Sequence, residues 1–153
     1  MKTISTHPII KIMVAAAVIV ALFTGFGNMP LYGRYYVADM PGLAWSGNFF
    51  TNVYVHILAG SLLLGIGIHA ITITLLAGSK APGRLTGSGK IRGALLTLTL
   101  ATGILMVIKN LPGVQFPLQM LMIANFTHMG AAVLFIFTTL IMLIFRKPWT
   151  TAP

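Results

Sequence analysis

Four histidines, His7, His56, His69 and His128, are the residues of this chain best suited to chemistry. His56 and His69 share the apolar stretch "VYVHILAGSLLLGIGIHAI", and His128 lies in "FTHMGAAVLF". A neutral imidazole is the commonest metal ligand and a frequent axial ligand of haem iron. It can also serve structure alone, bonding a Ser, a Thr or a backbone carbonyl across a helix interface. Other chemistries are poorly supplied. The single acidic residue, Asp39, excludes paired-carboxylate catalysis, and a Ser–His–Asp set would have to recruit it from a loop. The absence of cysteine excludes disulfides, covalently attached c-type haem and cysteine-ligated iron–sulfur clusters.

The elements that must carry these histidines follow from composition. Of 153 residues 57% are apolar and only 7% charged, and the mean hydropathy is +0.93. A soluble domain has about 25% charged residues to cover its surface, so the solvent of this chain is lipid. Four apolar runs can be read, at about 9–26, 49–77, 91–108 and 118–145, separated by the breakers "GFGNMP", "GSKAPGRLTGSGK" and "KNLPGVQFP". Roughly 20 helical residues cross the hydrocarbon core. The expected fold is therefore all-α, a transmembrane four-helix bundle forming a single membrane domain over residues 1–153. The first run could be taken for a secretory signal, but no A-x-A site follows it and Lys11 interrupts it, which favours a retained first helix.

Charge orients the bundle. The formal charge of +9 would suggest nucleic acid in a soluble protein, but here the bases sit in short clusters between apolar runs, so no nucleic-acid partner is expected. Lys2, Lys11, Lys80, Arg84, Lys90, Arg92, Arg146 and Lys147 fall on the side of the N-terminus, and Arg34 and Lys109 on the other. This asymmetry predicts that both termini are cytoplasmic, and the membrane is expected to be the cytoplasmic (inner) membrane of a bacterium or archaeon. It makes 78–90 a cytoplasmic loop and puts 27–48 and 109–117 outside.

Depth then sorts the histidines. His56 lies about 10 Å along the second helix from its start, and His128 about 15 Å along the fourth. Both helices run inward, so the two imidazoles reach comparable levels in the outer half. Small residues follow each of them, Ala59, Gly60 and Ser61 after His56 and Gly130, Ala131 and Ala132 after His128. These could admit a bulky guest, although they are also ordinary helix-contact residues. His69 is about 20 Å beyond His56 and rotated roughly 140° from it, so the two serve different neighbours. For His69 the candidates are His7 and Met142.

These residues and motifs resemble the cytochrome b subunits of formate dehydrogenases and uptake hydrogenases, notably "HILAG" in the second helix. Together with "LFTGFGNMPLYGRYYVADMPGLAWSGNFF", "TGILMVIKNLPGV" and "FTHMGAAVLF" they more closely resemble small four-helix cytochrome b-like proteins of anaerobic respiratory bacteria. The resemblance implies an outer haem b whose iron is held by His56 and His128, electron exchange with a quinone, and a partner carrying other redox centres. It leaves a second, inner haem open, because Met142 stands where the larger subunits have a second fourth-helix histidine and Lys11 where they have a first-helix ligand. In this reading the chain is a non-catalytic electron-transfer subunit of an oxidoreductase complex.

The exterior loop 27–48 is rich in aromatic residues. It reads as an interfacial belt or as a cap over a site for a flat amphipathic ligand. In the second case Arg34, Tyr35, Asp39 and Trp45 are the candidate quinone-site residues, with Asp39 able to take a proton. Two rival functions stay open. "VHILAGSLLLGIG" also resembles the helices of copper-resistance membrane proteins, and Met120, Met122 and Met129 near His128 could supply soft ligands. A cofactor-free membrane anchor or assembly subunit would need only the apolar faces and basic loops.

Overall fold

The computed structural model describes residues 8–29, 32, 36–77 and 84–151. Among these residues the chain is all-α, with α1 over Pro8–Gly27, α2 over Phe49–Ala77, α3 over Gly87–Ile108 and α4 over Leu118–Ile144. Two short 3-10 turns, Val37–Asp39 and Ala44–Gly47, lie between α1 and α2. All four helices are long and apolar enough to cross a membrane. Large apolar side chains such as Ile12, Leu76, Phe126 and Leu143 are exposed. A surface of that kind belongs against lipid tails rather than water.

The backbone divides into two compact units, residues 1–73 and 74–153. The first contains α1 and most of α2; the second contains α3 and α4. Each is a helical hairpin whose buried residues are small or polar. They are Ala17, Thr24, Asn52 and Ala59 in the first hairpin, and Gly89, Arg92, Thr102, Ala124 and Ala131 in the second. Small residues let two helix backbones approach closely in a membrane, where apolar burial gives no driving force and packing must. Polar helix residues are satisfied locally. The Thr24 hydroxyl donates to Val20 O at 2.7 Å and Thr102 to Leu98 O at 2.7 Å, the back-bonding that lets threonine sit in a lipid-embedded helix.

The helix ends follow local rules. Pro8 opens α1, where its missing N–H costs nothing. The Asn48 side-chain oxygen accepts the Thr51 N–H at 3.0 Å at the start of α2. Each hairpin connection contains an x-Pro-Gly-x turn. Leu43 N–H donates to Met40 O at 3.0 Å with Gly42 at φ +83°, and Val114 N–H donates to Leu111 O at 3.2 Å with Gly113 at φ +80°. Proline at the first central position and a left-handed glycine at the second define a type II turn.

One boundary differs from the sequence expectation. α3 begins at Gly87, not near 91, so "GSGK" belongs to the helix and not to the loop. Two features overcome its poor helix propensity. Thr86 caps the helix, its hydroxyl oxygen accepting the Gly89 N–H at 3.0 Å. The chain after α4 also folds back over this end. Thr86 N–H donates to Trp149 O at 3.0 Å, the Ser88 hydroxyl donates to Pro148 O at 2.9 Å, and Thr151 N–H donates to Arg84 O at 2.8 Å. Arg92 is buried beneath this clasp. It donates to Ser88 O at 3.2 Å and Lys147 O at 3.1 Å, with its guanidinium 4.2 Å from the Trp149 ring centre. A Cβ on Gly89 would collide with Trp149 O, a backbone atom that cannot turn aside. Gly89→Ala should therefore lift the clasp, costing about 1–3 kcal/mol as an overpacking substitution. Limited trypsin digestion is the check: the variant should be cut after Arg146 faster than the wild type, with helix content by circular dichroism unchanged.

Candidate functional site

The hairpins carry the same local arrangement, and a histidine stands at the centre of each. In the first, the His56 ring packs against α1 where Thr24 and Gly25 face it. Nδ1 lies 3.0 Å from Ala21 O and 3.0 Å from the Thr24 hydroxyl oxygen. In the second, His128 packs against α3 at Thr102 and Gly103. Nδ1 lies 2.9 Å from Thr99 O and 3.2 Å from the Thr102 hydroxyl oxygen. In both, the glycine makes room for the ring. A Cβ would meet Cε1 of His56 at 3.2 Å from Gly25, and Cε1 of His128 at 3.1 Å from Gly103.

These contacts assign the proton. A carbonyl oxygen can only accept, so Nδ1 of each imidazole must carry hydrogen and donate to Ala21 O or Thr99 O. Each threonine hydroxyl spends its own hydrogen on the carbonyl one turn back, Val20 O or Leu98 O, and so its oxygen is left as a second acceptor for Nδ1–H. In a neutral ring the lone pair then sits on Nε2. Donation from one ring nitrogen to a backbone carbonyl fixes tautomer and ring plane and raises the basicity of the other nitrogen, as in metal-bound histidines. The two sites are thus chemically alike, each a half-buried imidazole with Nδ1 tied to the neighbouring helix.

The equivalence extends along the helices. Asn52 and Ala124, four residues before each histidine, are buried, and so are Ala59 and Ala131, three residues after it. The two sets occupy the same helix face by the i, i+4, i+7 rule. Each hairpin therefore reads Thr-Gly on its first helix, Pro-Gly in its connection, and histidine on its second helix. The repeat has one asymmetry. Asn52 donates to Thr24 O at 2.8 Å and to Asn28 Oδ1 at 2.9 Å, a polar clamp above His56 that Ala124 cannot make above His128.

The remaining candidates separate. His7, Arg34 and Tyr35 lie outside the described residues. Asp39 is exposed at the end of the first 3-10 turn. Trp45 lies over α1, its ring centre 5.9 Å from that of Phe23. With Ile19, Val20, Leu43, Thr51 and Val55 these two rings line a groove of about 500 Å³ on the first hairpin. The residue that fixes this loop is Tyr32, which the sequence did not single out. It is buried, packs edge-on against Phe23 and Phe26, and bonds the buried Ser46 hydroxyl. His69 is exposed on α2 and lines a second groove with Met13 of α1. Met142 lies in the last turn of α4, where its carbonyl accepts the Lys147 N–H at 2.8 Å. Met120, Met122 and Met129 are exposed side chains of α4. Among the described residues no three His, Cys, Asp or Glu side chains converge as a structural zinc site requires; an axial haem pair has no such requirement.

No family model, curated protein or solved structure matches this chain.

Proposed function

We propose that this protein is a haem b-binding electron-transfer subunit of a membrane oxidoreductase, with Nε2 of His56 and of His128 as the iron ligands. The observation that carries the reading is the duplicated half-site, in which two imidazoles in membrane-length helices each have Nδ1–H tied to a carbonyl and a threonine hydroxyl. A purely structural histidine has no need of the same tautomer, the same hydroxyl and the same glycine seat twice. The donor set fits the group: two neutral nitrogen ligands, no cysteine, and no acid near either ring to compete for the metal.

Bound haem would supply reversible one-electron chemistry, and two imidazole ligands leave its iron no open position for oxygen. The residues of this chain do the rest. Ala21 O and Thr99 O hold the ring planes, Gly25 and Gly103 admit the rings, and the lipid-facing helices exclude water. In this reading electrons pass between a quinone and a partner redox subunit, with both chain termini in the cytoplasm of a bacterium or archaeon. Arg34, Tyr35, Asp39 and Trp45, all in the loop between α1 and α2, are the candidate residues for a quinone site on the exterior side.

The test is a reduced-minus-oxidised spectrum of the purified protein, with a pyridine haemochrome assay, after expression with ample haem supply. A low-spin b-type signal is expected. Well-folded protein lacking haem under those conditions would defeat the reading, and metal analysis would then choose between copper handling and a cofactor-free anchor.

A further inference from the structure

His69 makes no hydrogen bond among the described residues, and the haem reading gives it no task. It sits in an apolar helix, where an ionisable side chain marks a functional site by default. Its surroundings are specific. Ser61, Leu62, Gly65, Ile66 and His69 form one face of α2, and with Ile10 and Met13 of α1 they line a groove of about 340 Å³. Gly65 leaves open space there, since a Cβ on it would meet nothing within 4 Å. The groove thus offers one thioether, one imidazole and one hydroxyl in an otherwise hydrocarbon wall.

We propose that Met13 and His69 form a binding site for a single Cu(I) ion. The donor set selects it. Hard divalent cations require several oxygen ligands, usually carboxylates, and none lines the groove. Zinc requires four ligands, commonly thiolate or imidazole, and only one imidazole is present. Thioether sulfur is a soft ligand that favours Cu(I). A monovalent ion is also the least costly to carry into an apolar wall, because the desolvation penalty grows with charge. The site is separate from the half-sites at His56 and His128. It stands whether or not those hold haem.

The experiment uses the full chain in lipid nanodiscs, dialysed anaerobically against Cu(I) supplied as its acetonitrile complex with ascorbate, and bound copper measured by elemental analysis. The wild type should retain one copper per chain and no zinc in a parallel dialysis. Met13→Leu and His69→Phe each remove one of the two ligands and should each bring bound copper well below one per chain. Met13→Leu conserves volume and is the decisive variant if His69→Phe disturbs folding, which thermal melting followed by circular dichroism would reveal. Haem content recorded on the same samples keeps this outcome apart from that of the haem reading. Absence of bound copper in the wild type, retention equal to wild type in Met13→Leu, or loss of copper only on Met120→Leu or Met122→Leu would each overturn the proposal.

Discussion

Replacing either His56 or His128 with alanine should remove the b-type spectrum, whereas His69→Ala should keep it. Each substitution would delete one proposed Nε2 ligand together with the Nδ1–H that ties the two helices of the hairpin. The fold should survive the loss. The Thr24 and Thr102 hydroxyls keep their bonds to Val20 O and Leu98 O, and the small-residue contacts at Ala59 and Ala131 are untouched. Helix content by circular dichroism should therefore match the wild type while bound haem falls to background. Added imidazole should restore part of the spectrum by filling the vacated position. A variant that keeps full low-spin haem would show that its histidine is structural, and loss of the signal only in His69→Ala would place the ligand on the other part of α2.

The second large effect concerns residues that would never touch the iron. Thr24→Val and Thr102→Val keep side-chain shape and leave the carbonyl acceptors in place, but they remove the hydroxyl oxygen that shares each Nδ1–H. Loss of such an outer hydrogen bond typically weakens metal retention by about tenfold to a hundredfold. Serine at either position should recover most of the loss, because it restores the oxygen. A role in helix packing alone would not respond to serine in this way, nor would it move the reduction potential, which should rise in both valine variants because a less basic imidazole stabilises ferric iron less. Gly103→Ala should add to the effect by pressing a Cβ to 3.1 Å from the ring carbon of His128. Because the two half-sites are equivalent, the Thr24 and Thr102 variants should lose haem to similar extents. A marked inequality would mean that only one hairpin bears the ligand.

Much of the architecture was legible before any coordinates. Lipid as solvent, the four helices and most of their ends follow from hydropathy and from the Pro and Gly that break the runs. His56 and His128 stood out because an imidazole in hydrocarbon is rare. Their partners were hidden for a geometric reason. Which α1 residue faces His56 depends on the rotation of one helix about its axis relative to the other, and apolar helices with no polar face leave that angle open. The sign that could have exposed Thr24 and Thr102 was the repeat itself: Thr-Gly, then Pro-Gly, then His, twice in 153 residues. Each part is too short to stand out from an apolar background, and only their shared order carries information. The start of α3 was missed because "GSGK" has the composition of a loop, and the segment that holds it, ending at Thr151, is more than sixty residues away in the chain. Tyr32 does not stand out among the aromatic residues of its loop because nothing local in the sequence links it to Ser46.

In the proposed site both iron ligands are imidazoles presented through Nε2. Near-infrared magnetic circular dichroism of the ferric protein, recorded with low-temperature electron paramagnetic resonance, addresses it most directly, because the two together distinguish a bis-imidazole iron from an imidazole–thioether one. A homogeneous low-spin bis-imidazole signature, lost in both His56→Ala and His128→Ala, is the predicted result. A high-spin ferric signal, or an imidazole–thioether signature in the wild type, would contradict it.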